Sequence, residues 1–460
     1  MYLRTLELRN LRCFESASLQ FQFPGRKAKV GEPPVATLDN VNLILGNNGA
    51  GKSTILKGSA LALLAPALQN SGFFAYSLVR RDFHAAANRS LPLTEARARV
   101  VLTRQDTGKQ AAQEAELFTL LSRDGDEDTI VDTTPRGGLF APMQSKESPA
   151  FLVLGYGATR RMAPAKEFIT TRSKHTNLRY QRVQSLFDEE LTMVQLAHWL
   201  PQFSNAGRTK QVIHLMDELL GNQYRFTGIY RGGEYFVEKD GTEIPFAALS
   251  DGYRAFIGWI SDLLYHVCFW SKSGAKLRDI EGVVMVDEID LHLHPDWQRS
   301  IILTLASTFR RLQFIFTSHS PLITGSLEWP NIWVMRDGTP VQLPDEPING
   351  LSADQVLLSP YFGVRATRAD VKMERLRELE TRAQRGDPEA AASFMRELST
   401  GLEAGKYGTS GGKGRAAKAG IGKALRALVD RYDVAPAPPE PPAMVSKKPG
   451  PAKRARIRKR

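Results

Sequence analysis

At 460 residues with 42% hydrophobic content, the chain has enough apolar mass for about two or three domains with buried cores. Its two cysteines, Cys13 and Cys268, stand far apart, which excludes a disulfide framework or a zinc knuckle and fits a reducing cytoplasm. No apolar run approaches the roughly 18 residues of a membrane span, and MYLRTLELRNLRCF alternates where a signal peptide would show an apolar core, so the sequence reads as soluble and cytoplasmic with no membrane partner.

In chain order, LRTLELRN and SLQFQF alternate apolar and polar residues as half-buried strands do, and NVNLILG is a short buried-strand candidate. This last run leads into Gly46-Asn47-Asn48-Gly49-Ala50-Gly51-Lys52-Ser53-Thr54. TILKGSALALLAPAL follows, with helical spacing at Leu56, Ala60, Leu63, Leu64 and Ala67. Strand, G-x-x-x-x-G-K-[ST] and helix together make a phosphate loop. Glycines let the backbone fold tightly enough to aim its N–H groups at phosphates, Lys52 is placed to reach the β and γ oxygens, and the Ser53 hydroxyl is placed to ligate Mg²⁺.

The middle of the chain, about residues 70–245, holds more than a nucleotide-binding core needs. VRRDFH and FLVLGYGATRRM carry the arginine pairs Arg80/Arg81 and Arg160/Arg161, the second behind a buried strand and a Gly-x-Gly turn at Gly155 and Gly157. Surface ion pairing is one reading of these arginines, and a nucleotide- or DNA-facing role is the other. SRDGDEDT places Asp124 and Asp126 in Asp-x-Asp spacing, either in a solvated acidic turn or in a nuclease centre. Residues 175–222, with LRYQRVQSLFDEELTMVQLAHWLPQF, read as helical without a sustained heptad register.

Farther on, Leu249-Ser250-Asp251-Gly252-Tyr253-Arg254 forms a short polar turn that opens a strongly apolar helix. EGVVMVDE is an apolar strand ending in two carboxylates, the form expected of the second nucleotide motif. Asp287 would hold Mg²⁺ through water, and Glu288 would orient and deprotonate the attacking water. Behind them, His292 and His294 at i, i+2 would point to opposite sides if extended, which disfavours a metal site and leaves packing or contact with a neighbouring subunit. Pro295 starts the helix PDWQRSIILTLASTFRR, with Trp297, Ile301, Leu305 and Phe309 on one stripe. A second buried strand, LQFIFTSHSP, ends in His319.

The order of phosphate loop, Ser-x-Gly turn, Asp-Glu strand and His strand resembles the ABC-type ATPase heads of the RecF, SMC and overcoming-lysogenization-defect families. LSDGYR resembles their signature motif, IDLHLHP their D-loop, His319 their switch histidine and LELRNLRCF their first strand. The resemblance implies an α/β phosphate-loop fold, a mixed sheet flanked by helices, that binds ATP and Mg²⁺. It implies an ATP-dependent homodimer in which Ser250 and the helix start after Gly252 cap the γ-phosphate held by the other copy. Asp290 would communicate between the two sites, and His319 would sense the γ-phosphate. Asp251 departs from the glycine usual in transporters, which suggests a side chain turned away from the phosphates and favours the RecF-like side of the group. Gln69 lies unusually early for the family's glutamine loop.

The boundaries expected are an N-terminal half of the head at 1–90, an insertion at 91–245, a C-terminal half at 246–345, a helical segment at 346–404 and a basic tail at 405–460. The helical segment resembles that of Septu-type stand-alone ATPases of bacterial antiviral systems, whose partner is an HNH-type nuclease. After residue 345 no Asp-x-Asp or Glu constellation is present to build a nuclease domain. Residues 405–460 hold 15 Lys/Arg against 3 Asp/Glu, which accounts for the whole net charge of +12. This tail is either a solvated appendage or a salt-sensitive tether to DNA through 444–460. The function expected is an ATPase whose dimerisation controls DNA binding or a partner nuclease, in antiviral defence or DNA repair. The alternatives are a transporter subunit, or a nuclease using Asp124/Asp126 or His292/His294.

Overall fold

The computed structural model describes residues 1–68, 73, 77–80, 93–103, 106, 113–124, 127–133, 151–162, 178–221, 224–271, 274–364 and 370–403. Gln69, Arg81, Asp126, the side chain of Arg161 and the basic tail lie outside this description. Two compact units divide the chain, Met1–Thr367 and Arg368–Arg460.

The larger unit is an α/β phosphate-loop fold. Its strands are β1 (Tyr2–Leu11), β2 (Phe14–Gln20), β3 (Val41–Leu45), β4 (Thr94–Leu102), β5 (Gln113–Asp124), β6 (Glu127–Asp132), β7 (Val153–Tyr156), β8 (Arg161–Met162), β9 (Thr192–Met193), β10 (Arg225–Arg231), β11 (Glu234–Lys239), β12 (Thr242–Pro245), β13 (Gly282–Val286), β14 (Leu312–Ser318), β15 (Ile332–Arg336) and β16 (Thr339–Val341). The central sheet has the order β16-β15-β3-β14-β13-β7, parallel except for the β16 edge. Strands β3, β13 and β14 are buried along their whole length. That is why they read as uncharged runs and not as alternating ones, since a parallel sheet is covered on both faces.

A second, antiparallel sheet has the order β2-β1-β4-β5-β6. The helix α1 (Lys52–Leu68) contacts strands of both sheets. Ile55, Leu61 and Ala62 are therefore as buried as Leu56, Ala60 and Leu63; a helix covered on both sides is apolar all round. Buried side-chain amides join the two sheets. Gln313 of β14 donates to the carbonyls of Leu3 (2.7 Å) and Gln22 (2.8 Å) and accepts from the Leu3 N–H. Asn42 of β3 donates to Gln22 O (2.8 Å) and Phe314 O (3.1 Å) and accepts from the Gln22 N–H. Such amides have partners because an unpaired one would forfeit its hydration without return.

Strands β4 to β6, inside residues 91–245, thus pair onto the N-terminal β1, and β7 joins the central sheet. Both sheets draw strands from either side of residue 90. Residues 175–222 differ from the helical expectation. The described residues among them, 178–221, form short turns around Leu178–Gln181 and Gln184–Leu186, the two-residue β9 and a turn at Leu196–Trp199, and of these described residues only Ala206–Leu220 (α2) is a full helix. The close packing of this stretch on β7 explains the interruption, with the Gly155 N–H donating to Arg182 O and the Ser185 hydroxyl to Gly155 O. Two further helices frame the site, α3 (Asp251–Trp270) and α4 (Pro295–Thr308). Trp297 of α4 packs against Tyr253 and Phe256 of α3, with ring centroids 4.3 and 4.7 Å apart. In the smaller unit, α5 (Asp370–Gln384) and α6 (Pro388–Glu403) pack on each other.

Candidate functional site

The site lies at the carboxyl ends of the parallel strands, the general location of ligands in open α/β sheets. From the end of β3 the chain turns through Gly46–Gly51 into α1, with the Ala50 N–H on Asn47 O. Gly51 has φ +102, and a Cβ there would lie 2.5 Å from Phe14 Cζ and 2.7 Å from Cys13 Sγ. Only glycine fits that backbone and that space. Lys52 is 6% exposed and its ammonium is held inside the loop, donating to Gly46 O (3.0 Å) and Asn47 O (3.2 Å) and lying 2.6 Å from His319 Nε2.

The carboxylates arrive from the next strands. Asp287 follows β13, is buried, and accepts from the Thr317 hydroxyl at 2.5 Å. The same hydroxyl accepts the Glu288 N–H at 2.7 Å, so one β14 side chain fixes two consecutive residues. Glu288 takes a left-handed backbone, φ +47, which turns the chain out of the strand. Arg160 braces this turn, donating from Nη1 to Asp287 O (2.7 Å) and from Nη2 to Glu288 O (2.9 Å).

A cavity of about 430 Å³ opens over the loop. Gly49, Gly51, Lys52, Ser53, Thr54 and the exposed Asn48 line it on the loop side, and Glu288 lines it from β13. Arg12 and Cys13 complete the lining from the tip of the β1–β2 hairpin. Burial lowers the Lys52 pKa, and Asp287, Glu288 and Asp290 push it back up. Burial, then the Lys52 ammonium, lower the pKa of His319. A neutral imidazole accepting from Lys52 suits both groups.

That pair has a pH consequence. The folded pKa of His319 lies below its unfolded value of about 6.5, so the unfolded chain takes the proton first. The Lys52–His319 contact is then intact above that value and lost as pH falls through the folded pKa. Between pH 8 and pH 5 the melting temperature of the wild type should fall relative to that of His319→Gln, by about a few degrees. A constant difference would remove His319 as the titrating partner.

The signature-like turn sits elsewhere on the same unit. Ser250 precedes α3, and its side chain makes no cap bond. Gly252 packs so tightly on the D-loop-like segment that a Cβ would lie 2.2 Å from His292 O. Neither Ser250 nor Gly252 lines the cavity over the phosphate loop. Asp251 is exposed and pairs with Arg254 on its own helix. Asp290 has a buried Oδ1 with no partner. His294 caps α4, its Nδ1 accepting the Asp296 N–H, and His292 is exposed. Among the described residues no group of three or more His, Cys, Asp or Glu could hold a metal ion.

The sequence reading placed the phosphate loop and the carboxylates together at this site and did not find Arg12, Cys13, Thr317 or the role of Arg160. Gly155 and Gly157 are glycines that close packing requires. A Cβ at Gly157 would lie 2.2 Å from Ser185 O, and one at Gly155 would lie 2.5 Å from Leu186 Cδ1.

The model of one protein family, described as "AAA domain, putative AbiEii toxin, Type IV TA system", matches residues 41–325. The chain belongs to this AAA family. The match begins at β3 and ends just past His319, so it takes in every element that bears on the phosphate loop except the β1–β2 hairpin. Among curated proteins, the AAA chain is 27% identical over 241 residues to "Septu protein PtuA" of Bacillus mycoides, covering 50% of this chain and 31% of that one. It is 34% identical over 111 residues to "Retron Ec83 probable ATPase" of Escherichia coli, covering 24% and 20%. The chain thus spans less than a third of the length of these relatives. Among solved structures, the SMC head domain from Thermotoga maritima aligns with 75% of this chain and 100% of its own, at 16% identity and a TM-score of 0.41. Among the described residues no helix is long and apolar enough to cross a membrane.

Proposed function

We propose that the protein is an ATPase of the ABC-head type that binds Mg·ATP over the phosphate loop and hydrolyses it when two copies meet. The observation that carries this reading is the convergence of Lys52, Ser53 and Glu288 on one cavity, with Asp287 in the field of the Lys52 ammonium and that ammonium held among loop carbonyls where phosphate oxygens would replace them. The oxygen donors fit Mg²⁺: the Ser53 hydroxyl and the Asp287 carboxylate, held by Thr317, are hard ligands of the kind that ion takes. When bound, the ion neutralises charge on the phosphate oxygens. Lys52 holds the β and γ oxygens, and the loop N–H groups orient them. Glu288, on the cavity wall, takes the proton of the attacking water. His319 contacts Lys52 and is placed to respond when the ammonium moves to phosphate.

The partner copy enters because the signature-like turn is not part of its own chain's cavity. Ser250, with a hydroxyl that caps nothing, and the N-terminus of α3 behind Gly252 would present donors to the nucleotide of a second copy. Asp290 would link the two sites. The similarity to Septu and retron proteins supports a place in antiviral defence, with a nuclease as the controlled effector. DNA binding through 444–460 rests on the charge of that segment alone.

The reading is tested with the purified chain by phosphate release and by light scattering with and without Mg·ATP. ATP turnover together with an ATP-dependent rise in mass is the expected result. An absence of turnover at any protein concentration would overturn the ATPase reading.

A further inference from the structure

We propose that Arg160 is a positioning residue for hydrolysis, a guanidinium brace that sets the catalytic carboxylate by gripping the backbone on either side of it. The proposal rests on the ATPase reading above and adds a part to it.

The carboxylate of Glu288 is useful only if its Cα is fixed, and its backbone is an uncommon one. Non-glycine residues with positive φ are held by their surroundings because the left-handed region is disfavoured for them. Two partners hold this one. Thr317 takes the Glu288 N–H, and the two terminal nitrogens of Arg160 take the carbonyls of Asp287 and Glu288. The left-handed turn brings successive carbonyls within reach of one planar fork. A guanidinium spans them both, whereas an ammonium is a single point.

The arm that carries Arg160 is rigid. Strand β7 is buried throughout and pairs with β13 from Val153↔Val283 to Tyr156↔Val286, so both ends of the brace belong to adjacent strands in one register. Beyond the strand, Gly157 sits against the Ser185 carbonyl and donates its N–H to the Ser185 hydroxyl. The Tyr156 hydroxyl donates to Asp262 of α3 at 3.2 Å. The guanidinium also lies in the field of Asp287, Glu288 and Asp290, while burial lowers its pKa to about 10; it remains charged at neutral pH and offsets part of the repulsion among those carboxylates. A group placed this way touches the backbone of the site and not the reacting atoms.

The test uses the full chain, as Arg160→Ala and Arg160→Lys, with three readouts: ATP turnover, binding of a fluorescent ATP analogue, and amide exchange of the 283–291 segment. In Arg160→Ala, kcat should fall by about 10²-fold, the cost of displacing a reacting group by about an ångström, with nucleotide affinity within about threefold of wild type. Exchange at 287–289 should rise, and added guanidinium at non-denaturing concentration should restore part of kcat in Arg160→Ala only. Arg160→Lys should recover little. In a Glu288→Gln background, Arg160→Ala should cost nothing further, because the group being positioned is already gone.

Two results would overturn the brace: kcat within about twofold of wild type with unchanged exchange, or affinity falling in parallel with kcat, which would place Arg160 on the nucleotide. The two proposals fail separately. A wild type that turns over no ATP, yet shows the exchange difference, overturns the ATPase reading and leaves the brace in place.

Discussion

Glu288→Gln should lose ATP turnover by about 10²–10⁴-fold, the range associated with a positioned general base, while retaining Mg·ATP. The substitution is nearly isosteric, and the contacts that fix this residue are made by its backbone, to Thr317 and Arg160, so the loop geometry should survive. Removing a negative charge from the wall of a cavity that receives a polyphosphate leaves affinity equal or higher. A chain that binds and does not hydrolyse should accumulate in the closed state. Light scattering should therefore give a mass close to twice that of the monomer with Mg·ATP and the monomer mass without it. Rapid turnover would remove Glu288 from the role of base. Tight binding with no change in mass would mean that assembly is constitutive or depends on another partner, and that the ATP-gated dimer does not apply to this chain.

The parts of the site legible in the sequence were those whose chemistry is local. Gly46 to Thr54 is contiguous, and its strand and helix flank it in the chain. Asp287 and Glu288 are adjacent, behind a strand whose lack of charge reflects burial on both faces. The parts that were missed depend on long-range pairing. Arg12 and Cys13 look like an ordinary turn in LELRNLRCF. They reach the cavity only because the β1–β2 hairpin lies in a sheet packed against α1. Thr317 is one more residue in a buried strand until the β13–β14 register sets it beside Asp287. Arg160 was legible as a cation behind a strand, but its partners are main-chain carbonyls more than a hundred residues away, and carbonyls carry no sequence signal.

The same distinction explains the glycines. Gly155 and Gly157 are small because Leu186 and Ser185 press on them. Gly252 is small because the His292 carbonyl does, which ties the signature-like turn to the segment bearing Asp290. A shift of one would displace the other, so the residues proposed to face a second copy move as one piece.

Lys52→Ala should sharply weaken nucleotide binding with little effect on the fold. The ammonium satisfies two loop carbonyls and His319. Phosphate oxygens would take over those bonds, so binding exchanges one set of charge-assisted contacts for another without building a new pocket. Deleting one partner of a desolvated charge pair costs about 2–5 kcal/mol, and at about 1.4 kcal/mol per tenfold this corresponds to a loss of roughly 30- to 4,000-fold in affinity. The nucleotide-free variant gives up the Gly46 and Asn47 contacts, but Asn47 is exposed and Gly46 partly so, so water can replace the ammonium there and its melting temperature should stay within about a few degrees of wild type. The decisive readout is linkage. Mg·ATP in about hundredfold excess over its wild-type Kd stabilises a binder by about 2.7 kcal/mol, a clear upward shift for the wild type, and in Lys52→Ala the shift should fall below about 1 kcal/mol. Equal shifts in both proteins would place the nucleotide somewhere other than the phosphate loop and would remove the foundation of the ATPase reading.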